Sequence, residues 1–145
     1  MPFGRSVKLA LRYLIVILAL AGATVSTLAL RVHYSNDVQP CDINAHWDCG
    51  VVNHSRFSMI YGIPVAAIGI VGYLLIALLT VLRRRRLTLV CALLGFCYAL
   101  YLTRIEADVL QVWCLYCVIS QAIIAAIVLL AGIATVHSPR DITLN

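Results

Sequence analysis

Long apolar runs alternate with short polar segments along this chain. Four runs contain no charged residue, and their lengths are 18, 26, 17 and 28 residues: Tyr13–Leu30, Phe57–Leu82, Leu87–Thr103 and Val109–Val136. A membrane-spanning helix needs about 20 apolar residues, and roughly 17 to 25 are tolerated. The pattern therefore predicts four transmembrane helices, at about residues 10–31, 62–82, 87–104 and 112–136, with an outer loop over about residues 32–61.

The composition also indicates a membrane protein. Of the 145 residues, 63% are apolar and 12% are charged, and the mean hydropathy is +0.98. Soluble domains have roughly 45–50% apolar and about 25% charged residues, so lipid surrounds most of this chain. The length leaves no room for a second folded unit beside four spans. We therefore expect a single all-α membrane domain over residues 1–145, built as a four-transmembrane-helix bundle.

The placement of lysine and arginine predicts the orientation of the bundle. Eight basic residues lie on one side of the predicted spans and three on the other: Arg5, Lys8, Arg12, Arg83–Arg86 and Arg140 against Arg31, Arg56 and Arg104. The side richer in Lys and Arg faces the cytoplasm, which places both termini inside and the outer loop outside. An inner (cell) membrane protein with its loop in the periplasm or exterior is expected. The pI of about 9.1 then reflects topology, and no nucleic-acid partner is expected.

The outer loop is polar and carries several turn formers. Residues 33–47 indicate neither a strand nor a long helix. Gly50–Ile60 mixes apolar and polar side chains, which predicts a short amphipathic helix lying horizontally in the membrane interface. Tyr61–Pro64 indicates a break, and since proline suits the first turn of a helix, the second span should begin near Pro64.

Small residues recur along the predicted spans. They include Gly22, Ser26, Gly69 and Gly95. In lipid, small side chains let helices approach closely, so these positions predict a tightly packed bundle.

A Cys-x-x-Cys motif, Cys114-Leu115-Tyr116-Cys117, lies near the start of the last apolar run. Two cysteines three apart share one face of a helix, and a helix N-terminus lowers the pKa of a thiol. The motif therefore predicts a redox-active pair at the membrane boundary. A structural disulfide, or two core residues, is the alternative reading of the same spacing.

The other cysteines separate into two groups. Cys41 and Cys49 in the outer loop either staple the loop or form a second redox pair that exchanges with the first. Cys91 and Cys97 lie six apart in the third span and face different directions, which favours packing.

A zinc site involving His46 and His54 is a further alternative. No histidine pair has a ligand-like spacing, so we expect solvated histidines and no metal.

Together these features resemble the vitamin K epoxide reductase family over nearly the whole chain. The features are the four spans, the loop pair Cys41 and Cys49, Ser55 six residues beyond the second of them, and Cys-x-x-Cys opening the last span. The resemblance implies a four-helix bundle around a quinone (menaquinone/vitamin K or ubiquinone), capped by the outer loop and its short helix.

The resemblance also implies roles for individual residues. Cys117 would be the thiolate that faces the quinone, and Cys114 would form a disulfide with it and exchange with Cys49. Cys41 would accept electrons from a thioredoxin-fold dithiol protein on the outer face. The side chains expected to contact the quinone are Ser55, Gln121, Tyr73, Val65 and Ile68.

The chain departs from the family pattern in three ways. Val65 stands where many members have an asparagine that hydrogen-bonds the quinone, and Ser120-Gln121-Ala122 stands where the animal enzymes have Thr-Tyr-Ala. Gln121, one turn after Cys117, can replace a lost hydrogen bond. Many bacterial members also carry a fused thioredoxin-like domain, and because this chain ends at Asn145, a separate partner is expected.

The sequence thus predicts a membrane thiol–disulfide oxidoreductase that generates disulfides and reduces a quinone. Electrons would pass from the partner through Cys41/Cys49 and Cys114/Cys117. The alternative is a non-enzymatic tetraspan protein whose stapled outer loop, with Trp47 and Cys49, docks partners.

Overall fold

The computed structural model describes residues 2–137. Within that range, four long helices form a bundle: α1 (Pro2–Tyr34), α3 (Val65–Val81), α4 (Arg85–Ile105) and α5 (Leu115–Val136). Shorter elements connect them: α2 (Cys49–Asn53), a 3-10 turn (Arg56–Ser58), β1 (Met59–Ile60), β2 (Ile63–Pro64) and a π-helical turn (Glu106–Leu110). The expected all-α bundle with four long helices is confirmed.

In the described part of the chain, three helical segments are long and apolar enough to cross a membrane: Gly4–Tyr34, Arg85–Leu110 and Leu115–Val136. The fourth, α3, has 17 residues, close to the shortest length that spans a bilayer. The helices run somewhat beyond the predicted spans at both ends of α1 and at the end of α4. Arg140, which contributed to the predicted orientation, lies outside the described residues.

The core of the bundle lies where α1 packs along α3 and α5, and where α4 packs along α5. Its buried side chains are mostly small or β-branched and come from all four helices: Ile15, Ala19, Ala23, Tyr73, Ile76, Ala77, Ala92, Ile124, Ile127 and Ala131. Many other apolar side chains, such as Val71 and Leu129, are exposed on the outside of the bundle, as expected for a lipid-facing surface.

The predicted close approach of helices occurs at Gly22 and Gly69. Gly22 of α1 lies directly against the ring of Tyr73, and a Cβ on Gly69 would stand 2.9 Å from Ser26 Oγ. The Tyr73 hydroxyl donates a hydrogen bond to the carbonyl oxygen of Ser120 at 2.9 Å, which fixes the ring between α1 and α5.

A tight hairpin precedes α3. Met59 pairs with Pro64 and Ile60 with Ile63 in antiparallel register, and Tyr61 and Gly62 form the turn with positive φ angles of 49° and 82°. Two consecutive positive φ values are typical of the type I′ turns that close two-residue hairpins. The predicted break at this point, followed by a helix directly after Pro64, is confirmed.

The prediction of one amphipathic helix over Gly50–Ile60 is wrong in its extent. Helix α2 ends at Asn53, because the Asn53 carbonyl oxygen is taken by the His33 ring at 2.6 Å and the Ser58 hydroxyl at 2.7 Å. That oxygen would otherwise accept a hydrogen bond from the amide four residues later. The segment therefore folds as a single helical turn, a 3-10 turn and a strand.

We expect Gly22→Ala to lower the thermal unfolding midpoint of the purified protein. A methyl group at this position would overlap the fixed Tyr73 ring. Overpacking costs about 1–3 kcal/mol, more than the roughly 0.5–1 kcal/mol by which alanine is favoured over glycine inside a helix. Gly132→Ala is the matched control, since nothing lies within 4 Å of its Cβ position, and its midpoint should stay or rise. A Gly22→Ala protein as stable as the wild type would contradict this packing.

Candidate functional site

The outer loop is joined to the segment before α5 by backbone hydrogen bonds. The Trp113 N–H donates to the His46 carbonyl at 2.8 Å, and the Asp48 N–H donates to the Trp113 carbonyl at 3.0 Å. Asp48 and Trp113 are the residues immediately before Cys49 and Cys114. This pairing therefore brings the loop cysteines next to the Cys-x-x-Cys motif.

A second buried cluster, separate from the bundle core, forms at this junction. It contains three of the four predicted redox cysteines together with two valines: Cys41, Cys49, Cys114, Val32 and Val52. Cys49 and Cys114 are both fully inaccessible to solvent. Sulfurs of residues that are far apart in the sequence thus lie together in one buried cluster under the loop.

Cys41 and Cys49 are joined by a disulfide with a Cα–Cα distance of 5.8 Å. The carboxylate of Asp42 accepts hydrogen bonds from the Gln39 and Gly50 N–H groups at 2.7 and 3.1 Å. Burial raises the pKa of Asp42, but these backbone donors outweigh it, so that the pKa lies below its usual value. The charged side chain holds the two ends of the disulfide loop together.

The Cys-x-x-Cys motif straddles the start of α5. Cys114 is the N-cap, with extended φ and ψ of −99° and 117°, and its sulfur accepts a hydrogen bond from the Cys117 N–H at 3.4 Å. Cys117 lies within the first helical turn. Both cysteines are free thiols in this structure, whereas the loop pair is oxidised.

The environment of Cys114 favours its thiolate. Its pKa is lowered chiefly by the hydrogen bond from the Cys117 thiol, with further help from the Cys117 N–H and the Asn53 amide. Burial and the nearby Glu106 carboxylate act in the opposite direction but do not cancel this effect. The lowered pKa favours the thiolate, which is the nucleophile in thiol–disulfide exchange.

Asn53 is a site residue that the sequence reasoning missed. Its amide nitrogen donates to the Cys49 carbonyl at 2.9 Å and to the Cys114 sulfur at 3.5 Å, and the side chain is buried. It thus bridges the two cysteine pairs. The available signal was its position four residues after Cys49, which places both residues on one face of a helix.

Glu106 is the second missed residue. Its carboxylate accepts a hydrogen bond from the Cys114 N–H at 3.2 Å, interacts with the Cys117 thiol, and is only 3% exposed. The sequence placed this position in a short polar link, but α4 continues through Ile105 into a π-helical turn that directs Glu106 inward. Acidic residues are almost never fully buried unless they are partnered, which makes this carboxylate notable.

A cavity of about 430 Å³ lies below the cysteine cluster, between the four long helices; we call it the central cavity. Its wall is largely apolar, with a few polar groups that include Asn53, Ser120 and Glu106. Cavities of roughly 300–1,000 Å³ with this mixture are typical of small-molecule sites. Such a lining fits the ring of a quinone, which is flat, apolar and neutral, and carries oxygen acceptors at its edge.

All five predicted quinone contacts line the central cavity: Ser55, Val65, Ile68, Tyr73 and Gln121. Gln121 accepts a hydrogen bond from the Thr103 hydroxyl at 3.5 Å, and no described residue accepts one from its amide nitrogen. The Tyr73 hydroxyl is already engaged with Ser120. Contact of these five with a quinone stays a prediction, with Gln121 the one of the five that has an unengaged donor.

The cysteines divide between the cavity and the loop cluster. Among the four predicted redox cysteines, all within the described residues, Cys117 lines the central cavity, whereas Cys41, Cys49 and Cys114 do not. Cys91 also lines the cavity, and Cys97 is exposed on α4.

The zinc alternative receives no support from the histidines. His54 stacks on His33 with ring centroids 6.2 Å apart and hydrogen-bonds the Gly50 carbonyl. Within residues 2–137, the potential ligands that approach one another are Cys41, Asp42 and Cys49, and the disulfide occupies both sulfurs.

Comparison with known proteins identifies the family of this chain. The model of the vitamin K epoxide reductase family matches residues 13–132, which is about four fifths of the chain and includes all four predicted redox cysteines. A search of curated proteins found no match. The chain belongs to the vitamin K epoxide reductase family and is accordingly a multi-pass membrane enzyme, a quinone-dependent thiol–disulfide oxidoreductase.

Proposed function

We propose that this enzyme generates disulfides, oxidising a thioredoxin-fold dithiol protein on the outer face of the membrane and passing the electrons to a quinone in the central cavity. The observation that carries the proposal is the division of the Cys-x-x-Cys motif. Cys114 is buried within the loop cluster with Cys41 and Cys49, while Cys117 packs against that cluster and also lines the cavity wall. The Cys114–Cys117 disulfide can thus connect a protein partner at the outer face with a lipid-soluble electron acceptor in the central cavity.

The first exchange takes place in the loop, which has to open for it, because Cys41 is only 1% exposed. A thiolate of the partner attacks Cys41 and releases Cys49, and the partner's second thiol then resolves the mixed disulfide. The partner leaves oxidised, and Cys41 and Cys49 become a dithiol. The Asp42 carboxylate, which binds the Gly50 N–H, helps to keep the loop folded when the disulfide opens.

The second exchange joins the two pairs. The Cys49 thiolate attacks Cys114 of the Cys114–Cys117 disulfide, and Cys117 leaves as a thiolate at the cavity wall. Attack of Cys41 on Cys49 then frees Cys114. The resulting Cys114/Cys117 dithiol gives two electrons and two protons to a quinone, which yields quinol and re-forms the disulfide.

The position of the negative charge changes during this cycle. In the free dithiol, the hydrogen bonds from Cys117 and Asn53 favour the thiolate on Cys114. In the Cys49–Cys114 mixed disulfide, Cys117 is the leaving group and takes the charge, which is the role expected for it from the sequence.

Glu106 is the residue that we propose for holding the proton between Cys117 and the central cavity. Its carboxylate lines the cavity, interacts with the Cys117 thiol and is shielded from bulk water. Reduction of a quinone requires two protons at a site that solvent does not reach freely. A buried carboxyl beside the thiol can accept the thiol proton and pass it on.

Cys117→Ser should abolish the reduction of an added quinone by a dithiol, and a Cys49–Cys114 disulfide should become detectable. The Cys114 thiolate attacks Cys49 of the loop disulfide and frees Cys41. With no sulfur at position 117, Cys41 alone can resolve the mixed disulfide from within the chain, so a fraction of the protein should be held as Cys49–Cys114. Quinone absorbance measures the activity, and proteolysis with mass spectrometry identifies the linked cysteines. Cys97→Ser, at an exposed position outside the cavity, is the control and should behave as wild type.

Two results would contradict the relay. Full dithiol-to-quinone activity in Cys117→Ser would remove Cys117 from the electron path. Detection of Cys41–Cys49 alone, under several redox conditions, would favour the static, stapled loop of the non-enzymatic alternative.

Glu106→Gln should lower kcat for quinone reduction by about 10²-fold or more, the usual range for loss of a general acid–base group. Glutamine can still accept the hydrogen bond from the Cys114 N–H but cannot hold the proton. Because the carboxylate charge raises the pKa of Cys114, its removal does not disfavour the Cys114 thiolate. Exchange between the cysteine pairs, measured without quinone, should therefore persist.

Asp108→Asn, on the exposed side of the same turn, is the control and should keep the wild-type kcat. An unchanged kcat in Glu106→Gln would refute the proposed role of Glu106 in proton transfer.

The relay requires the outer loop to face an oxidising compartment such as the periplasm or cell exterior. The basic residues Arg5, Lys8, Arg12 and Arg83–Arg86 lie at the opposite end of the bundle, which supports this orientation. A reporter inserted near Asn44 should be external, and one within Arg83–Arg86 should be cytoplasmic. A cytoplasmic Asn44 would place the loop cysteines in a reducing compartment and exclude net disulfide formation.

A further inference from the structure

A second cavity, of about 560 Å³, opens at the end of the bundle remote from the cysteines; we call it the basic cavity. It lies between the start of α1, the α3–α4 connection and the last turns of α5. Five basic side chains line it, together with two threonines and four apolar residues: Arg5, Lys8, Arg12, Arg83, Arg85, Thr80, Thr88, Leu9, Ile15, Ala131 and Ala134. None of these residues takes part in the redox chemistry proposed above.

The positive charge of the basic cavity has no acidic partner in the described chain. The five acidic residues of residues 2–137 lie between positions 37 and 108, near the outer loop and the Cys-x-x-Cys motif, and the sixth, Asp141, lies outside the described residues. Five cations concentrated around one concavity attract an anion strongly, particularly beside a low-dielectric wall.

The arginines of the α3–α4 connection differ in their position relative to the basic cavity. Of the four consecutive arginines, Arg83 and Arg85 line the basic cavity, whereas Arg84 and Arg86 do not. Arg85 is half-buried, and the other three are exposed. A stop-transfer signal requires only positive charge in the loop and no particular arrangement of it. The preference of Lys and Arg for the cytoplasmic side thus explains why several arginines occur in this connection, but not why two of them line a cavity.

The side chain of Arg12 is held in a fixed position at the cavity wall. Its guanidinium donates to the Val81 carbonyl at 2.6 Å, which ties α1 to the last turn of α3 and holds the side chain at the cavity wall. A guanidinium has five donors in a planar fork, so that this bond leaves donors for an oxyanion.

The lower wall of the cavity is buried and mostly apolar. Ile15 and Ala131 are at most 3% exposed, and the buried hydroxyls of Thr80 and Thr88 lie beside them. Leu9, on the side facing out of the bundle, is about half exposed. A charged mouth beside an apolar flank suits an amphiphile better than a small hydrated ion.

We propose that the basic cavity binds the phosphate of an anionic phospholipid, with the headgroup among the arginines and the acyl chains along the apolar flank. Basic pockets between transmembrane helices on the cytoplasmic side are recognised sites for anionic lipid headgroups. A bound phosphate would relieve the mutual repulsion of the five cations and join α1 to the α3–α4 connection. The site is independent of the proposed redox function.

The test compares two double variants with equal charge. Arg83→Gln/Arg85→Gln removes two cavity residues, and Arg84→Gln/Arg86→Gln removes two neighbours that point elsewhere. Each full-length protein is purified in neutral detergent, and its thermal unfolding midpoint is measured with phosphatidylglycerol, with phosphatidylcholine of the same acyl chains, and with inorganic phosphate. Native mass spectrometry counts bound lipid, and dithiol-to-quinone activity reports the integrity of the fold.

We expect phosphatidylglycerol to raise the midpoint of the wild type and of Arg84→Gln/Arg86→Gln, and to have little effect on Arg83→Gln/Arg85→Gln. At about 1 kcal/mol for each basic residue, loss of the two cavity arginines corresponds to roughly 30-fold weaker binding. Phosphatidylcholine and inorganic phosphate should leave all three midpoints nearly unchanged.

Several outcomes would overturn the proposal. Equal loss of binding in both double variants would mean that only the number of charges matters. An equal response to inorganic phosphate would identify a small-anion site instead of a lipid site. A wild type that neither gains stability from phosphatidylglycerol nor retains it in the mass spectrometer would exclude lipid binding.

Discussion

Two backbone hydrogen bonds join the outer loop to Trp113, and the chemistry of the site depends on them. Cys49 and Cys114 are 65 residues apart in the sequence, and thiol–disulfide exchange requires contact between sulfurs. Because the Asp48 N–H binds the Trp113 carbonyl, the residues that follow, Cys49 and Cys114, enter the same buried cluster. The covalent disulfide alone would close the loop without placing it over α5.

The point at which α5 begins gives the motif its two environments. Cys114 has extended backbone geometry and belongs to the loop cluster, whereas Cys117 is helical and lines the central cavity. If the helix began one turn earlier, the i and i+3 side chains would share one face and meet the same surroundings. In the proposed relay, the cap therefore places Cys114 where it can exchange with Cys49 and places Cys117 where it can also face a small lipid-soluble molecule.

Polar groups buried near the sulfurs are satisfied by one another, and this couples the two pairs. Asn53 binds the Cys49 carbonyl and the Cys114 sulfur, while Glu106 binds the Cys114 N–H. A buried polar group without a partner costs about 1–3 kcal/mol, so these contacts also fix the positions of α2 and the π-helical turn. The same hydrogen bonds thus stabilise the junction, and the one from Asn53 adds to the lowering of the Cys114 pKa that comes chiefly from Cys117.

The sequence by itself indicated the four-helix bundle, the break before α3 and a candidate redox pair at the start of the last span. Apolar runs of span length, the Tyr61–Pro64 break and the spacing of Cys114 and Cys117 are local signals, and local signals follow from hydropathy, backbone sterics and helix periodicity. The five predicted cavity residues came from family resemblance, and the structure places them around one cavity.

Only the tertiary structure decided what Asn53, Glu106 and the arginine cluster do. Asn53 ends α2 because a histidine from α1 takes its carbonyl, and Glu106 is inward-facing because α4 continues into a π-helical turn. Arg83 and Arg85 line the basic cavity while Arg84 and Arg86 do not, a difference invisible in a run of identical residues. Each outcome depends on partners brought from elsewhere in the chain by helix packing, and no local sequence pattern encodes such contacts.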